Sequence, residues 1–181
     1  MCIPSLVFCS DYTGHLSLTS GGLITDQKFS NAFNIDNKYE IGLSFDVKKK
    51  SWPISIAFDS SFLYAESETS ENQYNVAVNK KVSFIRSDTC LGVKKIFNFS
   101  TFIKPFVSSG AYFVRIYGEL SDNREIATGF GYWIGAGVYF DLSKNLTCGF
   151  LWKMSKADLN IFDVQSNVGG NHFSLTTGFH F

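Results

Sequence analysis

The sequence predicts an all-β fold, an eight-stranded antiparallel up-and-down transmembrane β-barrel, on the strength of three observations. Apolar and polar residues alternate from Asn171 to Phe181, so that aromatic side chains fall on one face of a strand. Charged residues make up only 18% of the chain, yet no apolar run approaches the ~18 residues of a spanning helix. Long polar connections alternate with short ones, as expected where surface loops and tight turns lie at opposite ends of a barrel.

The composition fits one domain and excludes some partners. The 181 residues carry 16 Lys and Arg against 16 Asp and Glu, which leaves no basic surface for nucleic acid. Aromatic residues reach 17% while mean hydropathy is only +0.03, as expected where apolar and polar residues interleave. A well-packed soluble β-sandwich would have the same composition, so composition alone does not decide the environment.

The first ten residues are set apart from residues 11–181, which we assign to the barrel domain. The segment MCIPSLVFCS has a short apolar stretch but lacks the positive start and the roughly 15–30 residues of a signal peptide. We interpret residues 1–10 as the remnant of such a signal or as a disordered N-terminus. None of the four cysteines shows metal-ligand spacing, and Cys90 and Cys148 are predicted on opposite faces of distant strands. Neither a disulfide framework nor a zinc site is expected.

Four strands are predicted in the first half of the chain, at residues 14–24, 38–47, 54–64 and 81–95. Their outward side chains are predicted to be Leu16, Leu18, Tyr39, Ile41, Leu43, Phe45, Val47, Ile56, Phe58, Phe62, Thr89, Leu91 and Val93. Pro53 ends the alternation between the second and third strands, because it lacks the N–H that a ladder needs. Residues 25–37 and 66–80 are polar and are predicted to be exposed loops.

Four more strands are predicted at residues 102–117, 127–142, 145–158 and 171–181. The first of these has apolar residues on both faces, and its outward residues are predicted to be Ile103, Val107, Ala111 and Phe113. Four glycines share the inward face of the next strand with Trp133, which leaves room for barrel curvature or for large neighbouring side chains. Residues 118–126 and 159–170 are the remaining predicted polar loops.

The predicted inward faces carry charges of both signs. These residues are Glu40, Asp46, Asp59, Arg86, Asp88, Lys94, Asp141 and Lys153. An eight-stranded barrel is just wide enough to be filled by side chains, and buried charges persist there only when paired. The outward faces are nearly uncharged, as lipid requires, since a Lys or Arg at the bilayer midplane costs ~2–4 kcal/mol. The alternative is a soluble lipocalin-like barrel, which also has eight strands but encloses a cavity for a small apolar ligand.

Three segments carry a resemblance to a known family: FIKPFVSSGAYF, YWIGAGVYFDLSKNLTCGFLWKMSKADLNI and VGGNHFSLTTGFHF. They resemble the small bacterial outer-membrane β-barrels, which include OmpA-like transmembrane domains, OmpX-like proteins and opacity-type adhesins. The likeness is good over about residues 81–181. It implies an integral protein of the bacterial outer membrane, in contact with outer-membrane lipids and lipopolysaccharide. The even strand number places both termini on one side, the periplasmic side if the short turns lie there.

The resemblance also implies partners for the terminal strand and for the loops. The barrel-assembly machinery reads the terminal strand in this family, here through Phe173, Leu175, Phe179 and Phe181. The polar loops would meet an extracellular partner, and the balanced charge again predicts no contact with nucleic acid.

The three histidines, His15, His172 and His180, are all predicted to face the lumen. His15 and His180 lie near the periplasmic ends of the first and last strands, which are neighbours if the barrel closes. We interpret all three as polar lumen residues, because a third metal ligand is lacking.

His172 and Ser174 superficially resemble the His-x-Ser of outer-membrane lipid A deacylases. An orienting acid for such a pair could only be guessed, as Asp158 or Asp163. We therefore predict no catalytic residue, no cofactor-binding residue, no metal ligand and no cofactor.

These observations favour a non-enzymatic outer-membrane barrel with surface-exposed loops and a structural, adhesive or other surface-interaction role. The alternative is a narrow pore or a path for hydrophobic solutes, as in OmpW-like barrels. A lipid A-modifying barrel enzyme is a distant third.

Overall fold

The strands of the chain form one antiparallel sheet. The computed structural model describes residues 11–25, 39–73, 76–120, 123–161 and 164–181, with the backbone alone at 66–73, 76–82, 120, 123, 161 and 164–166. The strands are β1 (Tyr12–Thr25), β2 (Tyr39–Lys49), β3 (Ser55–Gln73), β4 (Val76–Ile96), β5 (Ile103–Leu120), β6 (Asn123–Asp141), β7 (Leu146–Ile161), β8 (Val164–Asn167) and β9 (Gly170–His180). Within these ranges there is no helix that could cross a membrane.

The sheet closes on itself with eight strands around the barrel. Each strand from β1 to β7 pairs with the next, and β9 pairs with both β1 and β7. The short β8 continues β9, because Asp158 faces Asn167 and Ser155 faces Gly170 in one unbroken register. The predicted eight-stranded antiparallel barrel is therefore confirmed, with its last strand interrupted between β8 and β9.

The predicted direction of every strand face is confirmed. Outward residues of β2, β6 and β9 are exposed or half-buried, and the residues between them are buried or half-buried. The strand whose two faces are both apolar, β5, also points Ile103, Val107, Ala111 and Phe113 outward. Cys90 is buried in the lumen and Cys148 lies on the outer face, both as free thiols.

The polar segments predicted as loops are mostly strand. Residues 66–80 extend β3 and β4 into a hairpin whose pairing runs to Gln73 and Val76. In the same way β5 and β6 pair to Leu120 and Asn123, and β7 and β8 pair to Ile161 and Val164. The loop prediction is wrong here because the backbone N–H and C=O groups of two strands can pair whatever side chains the strands carry. A hairpin that stands in water can therefore be polar on both faces. Residues 1–10 and 26–38, including most of the predicted loop at 25–37, lie outside the described residues.

Three short turns lie at the end of the barrel opposite these hairpins, called here the turn end, and serine side chains stabilise two of them. These turns span residues 50–54, 97–102 and 142–145. Ser100 Oγ accepts the Ile103 N–H at 2.8 Å, and Ser143 Oγ accepts the Leu146 N–H at 3.1 Å. A serine hydroxyl that accepts a nearby backbone N–H stabilises a turn without needing a longer loop.

Inward glycines on β6 leave room for large rings, as predicted. A Cβ added to Gly137 would overlap the ring of Phe106 on β5, and one at Gly135 would lie 3.3 Å from the ring of Trp133. The absent side chains thus let these two aromatic residues fill the lumen.

The outer surface carries a broad band of apolar side chains, called here the apolar belt. On β5 the outward positions are uncharged from Ile103 to Phe113, and on β7 from Leu146 to Met154. These lengths match the ~9–11 residues that a strand needs to cross a bilayer. A soluble monomer rarely exposes a continuous apolar surface of more than a few hundred Å², so the belt indicates a lipid environment.

Candidate functional site

The lumen is filled by side chains from the strands around it. Tyr112, Trp133 and Tyr139 are its largest members, and each exposes no more than 2% of its surface. The charged residues predicted to face inward do so, and all but the half-buried Asp141 are buried. Most of these charges belong to two polar clusters, whereas Asp59 Oδ1 has no hydrogen-bond partner and Lys153 donates to Cys90 Sγ at 3.7 Å.

The first cluster is centred on the carboxylate of Glu40 on β2. His172 Nδ1 lies 2.8 Å from Glu40 Oε2, and Ser174 Oγ donates to Glu40 Oε1 at 3.1 Å. The other ring nitrogen of His172, Nε2, lies 2.9 Å from Ser155 Oγ on β7. Ser61 Oγ on β3 donates a longer bond to Glu40 Oε2, at 3.5 Å. Four strands are thus joined through one acid and one histidine.

Ser155, His172 and Glu40 have the order of a hydroxyl, imidazole and carboxylate relay. Such a relay becomes catalytic only where a substrate can reach the hydroxyl. His172 exposes none of its surface, and Ser155 and Glu40 are buried with it. A cavity of about 230 Å³ on the outer face includes Ser155 in its lining, together with Tyr132, Met154 and Lys156, but the Ser155 hydroxyl contacts His172 and faces the lumen. The described geometry is that of a buried hydrogen-bond network.

The predicted His172 and Ser174 pair does point inward, but its partners differ from those guessed from sequence. Ser174 contacts Glu40, and the hydroxyl that contacts His172 is that of Ser155. Asp158 is exposed on the outer face, so the guess that it orients His172 is wrong, and Asp163 lies outside the described residues. Glu40 was predicted as a lumen charge; only the registers joining β2, β1 and β9 place it beside His172.

Arg86 on β4 forms an ion pair with Asp88, close to the cluster around Glu40. Its Nε donates to Asp88 Oδ1 at 2.9 Å and its Nη2 to Tyr112 Oη at 2.6 Å, while Tyr112 donates to Asp88 Oδ1 at 2.8 Å. Single donor atoms of Glu40, Asp88 and His172 come within 4.8 Å of one another, close enough to hold a cation. Protein groups already occupy these donors, with Arg86 supplying positive charge, so the expectation of no metal ligand stays a prediction.

The second cluster lies nearer the turn end and is centred on Asp46 of β2. Asp46 accepts a hydrogen bond from Lys94 Nζ at 3.1 Å, and its other oxygen lies 3.1 Å from His15 Nδ1. Lys94 also donates to Tyr139 Oη at 2.9 Å. The Tyr139 ring stacks between those of His15 and Phe106, at centroid distances of 4.7 and 4.5 Å. This cluster ties β1, β2, β4, β5 and β6 together.

The predicted neighbourhood of His15 and His180 is confirmed. The two residues face each other across the β1–β9 ladder, with ring centroids 6.0 Å apart. His180 Nδ1 lies 3.3 Å from Thr147 Oγ1 and 3.9 Å from Asp141 Oδ1. Asp141 in turn forms an ion pair with Lys104 on β5. The closure of the barrel thus brings the first and last strands into one polar layer.

Comparison with solved structures identifies the fold, while no protein-family model and no curated protein sequence matches the chain. Ail, the attachment invasion locus protein of Yersinia pestis, aligns with a TM-score of 0.61 at 13% identity, over 94% of this chain and 99% of that one. Neisserial surface protein A aligns at 0.53 and 10% identity, over 93% and 95% of the two chains. The chain has the fold of a small outer-membrane β-barrel.

A third structure shows a similar fold in one domain of a protein. The N-terminal β-barrel domain of OprF from Pseudomonas aeruginosa aligns with a TM-score of 0.51 at 15% identity, over 92% of this chain and 97% of that domain. At these identities the likeness concerns the fold, and the role of this barrel has to be argued from its own residues.

Proposed function

We propose that this chain is an integral barrel of the bacterial outer membrane with a structural and surface-interaction role, such as adhesion. It is proposed to be non-enzymatic, with both termini on the periplasmic side. The observation that carries the proposal is a filled lumen whose charges are mostly paired, combined with long hairpins beyond the apolar belt. A filled lumen favours neither transport nor catalysis, so the hairpins are the parts left to act.

Among the hairpins that the structure describes, the one formed by β3 and β4 has the longest strands. β3 has 19 residues and β4 has 21, about twice the ~9–11 that a bilayer crossing needs. Their turn-end limits are fixed by the short connections, so the surplus projects from the opposite end of the barrel. An extended hairpin of this kind offers a large exposed surface to an extracellular partner.

Shortening this hairpin is expected to weaken surface binding strongly and leave the barrel folded. Replacing residues 70–79 with Asn-Gly keeps the pairing of Thr69 with Lys80 and supplies a two-residue hairpin turn. Adhesion of bacteria displaying the shortened protein to epithelial cells should fall at least about tenfold relative to the full chain, a loss comparable to removing one binding hot spot. Surface labelling serves as the control for display. The control for folding is the change in SDS gel mobility when the sample is boiled, because a closed membrane barrel resists SDS until it is heated; we call this the heat-dependent gel shift. Unchanged adhesion at equal display would exclude this hairpin as the binding surface.

A packed lumen also predicts that the barrel does not conduct ions. In planar lipid bilayers the refolded protein is expected to give no resolved single-channel steps under conditions where a porin conducts. The physical reason is that Trp133, Tyr112 and the Arg86–Asp88 pair are buried in the lumen, where a conducting barrel needs a water-filled channel. Discrete steps from the folded protein would instead favour the narrow-pore alternative.

Two cations at the edge of the apolar belt suit contact with lipopolysaccharide. Arg115 on β5 and Lys156 on β7 are exposed on the outer face, each at the next outward position after the uncharged stretch of its strand. Basic side chains at this height can reach lipid phosphates while their stems lie on the apolar surface. We likewise propose that the barrel-assembly machinery recognises the terminal strand, whose outward Phe173, Leu175 and Phe179 are exposed.

A further inference from the structure

The turn end of the barrel contains a second surface, a basic cavity that the proposed role of the hairpins does not use. It has a volume of about 370 Å³, and its lining includes His15, Lys48, Lys50, Asn98, Lys104 and His180. Ile96 and Phe181 supply apolar parts of the wall. We call it the turn-end cavity.

The cationic groups of the turn-end cavity are only partly balanced by acids. Lys104 is paired with Asp141, and His15 is held by Asp46. The ammonium groups of Lys48 and Lys50 have no acidic partner among the described residues. Two positive charges therefore stand at the mouth of a concave site, where a low-dielectric wall strengthens their attraction for an anion.

His15 gives the cavity a buried polar group that lacks a partner. Only 8% of its surface is exposed, and Nδ1 and the ring face are fixed by Asp46 and Tyr139. The other ring nitrogen, Nε2, is buried without a hydrogen-bond partner, although buried polar atoms are nearly always paired. The residue lines the cavity, so a bound ligand can supply the missing partner.

Asp141 Oδ1 is also buried without a hydrogen bond, 3.9 Å from His180, but Asp141 does not line the cavity and takes no part in the proposed site. The ammonium groups of Lys48 and Lys50 can bind the anionic oxygens of a phosphate. Because His15 Nδ1 faces the Asp46 carboxylate, Nε2 donates to a phosphate oxygen when the ring carries both hydrogens.

We propose that the turn-end cavity binds a phosphate group, held by Lys48, Lys50 and the Nε2 atom of His15. The phosphate belongs either to a phospholipid headgroup of the adjoining leaflet or to a soluble phosphate ester. The apolar wall at Ile96 and Phe181 accommodates the carbon part of either source. This site is independent of the hairpins and of the adhesive role proposed above.

The test uses the full chain, refolded in zwitterionic detergent, with inorganic phosphate as the probe in calorimetric titration. Saturable binding is expected, and the double variant Lys48→Gln/Lys50→Gln should weaken it about tenfold, since each lost charged hydrogen bond lowers affinity. The matched control is Lys49→Gln/Lys144→Gln, which removes two exposed lysines at the same end but outside the cavity lining. Equal weakening by both double variants, or no saturable binding, would overturn the proposal.

Nanodiscs distinguish the two sources of phosphate. Phosphate titration is repeated in phosphatidylcholine discs with 30% phosphatidylglycerol, on the order of a bacterial anionic lipid content, and compared with titration in a detergent that carries no phosphate. If a headgroup fills the cavity, the discs should reduce phosphate binding in the native chain and in the Lys49→Gln/Lys144→Gln control. If the ligand is soluble, binding should be equal in discs and in detergent. Either result supports a phosphate site, whereas displacement of bound phosphate by equimolar chloride would contradict it.

Discussion

Replacing Leu175 by lysine is expected to lower the free energy of unfolding of the barrel in a bilayer by about 2–4 kcal/mol. Leu175 on β9 is 68% exposed, points away from the lumen and pairs with Phe150 in the middle of the uncharged stretch of β7. A lysine there would place an ammonium group near the bilayer midplane. Urea unfolding in lipid vesicles, followed by tryptophan fluorescence and by the heat-dependent gel shift, measures the loss.

A matched lysine outside the apolar belt separates the effect of lipid from that of charge. Asn160 on β7 is also exposed on the outer face but lies beyond Lys156 and Asp158. Asn160→Lys should change stability by no more than ~0.5 kcal/mol, as surface substitutions in water usually do. If Leu175→Lys were as harmless as Asn160→Lys, the apolar faces would not be in lipid, and the soluble lipocalin-like alternative would gain support.

The faces of the strands could be predicted because they depend only on the period of two. This held even for β5, where both faces are apolar, since the small residues Ser108 and Gly110 alternate with the outward Val107 and Ala111. Closure could also be predicted. An open sheet in lipid would leave the backbone groups of its edge strands unpaired, and closing the sheet into a barrel pairs them. Local patterns therefore sufficed for the fold and for the sidedness of the wall.

The contacts inside the lumen could not be predicted in the same way. Glu40 and His172 are 132 residues apart, and their meeting depends on the registers of three strands. A slip of two residues in any one of them would keep every face correct and change every partner. The extent of the hairpins was missed for a related reason, since polar residues 66–80 carry no alternation that distinguishes a solvated strand from a loop.

Among the lumen contacts, those of Asp46 are expected to matter most for stability. Asp46 is 1% exposed and accepts from Lys94, which is itself buried, and it also holds His15. Asp46→Asn leaves a buried ammonium group without its counter-charge. Removing one partner of a buried ion pair typically costs about 3–5 kcal/mol, and the loss should appear as a lower urea midpoint.

A double-mutant cycle with Lys94→Met distinguishes pairing from simple loss of packing. Methionine fills much of the volume of lysine and carries no charge, so Asp46→Asn/Lys94→Met removes both charges while keeping the lumen filled. If the cost of Asp46→Asn comes from the uncompensated ammonium, the double variant should be more stable than Asp46→Asn alone, with a coupling energy of about 1–3 kcal/mol. Additive losses would mean that Asp46 acts through His15 and Tyr139 instead. The charge pair would then be incidental to the stability of the barrel, and the filled lumen would owe its rigidity to the stacked rings.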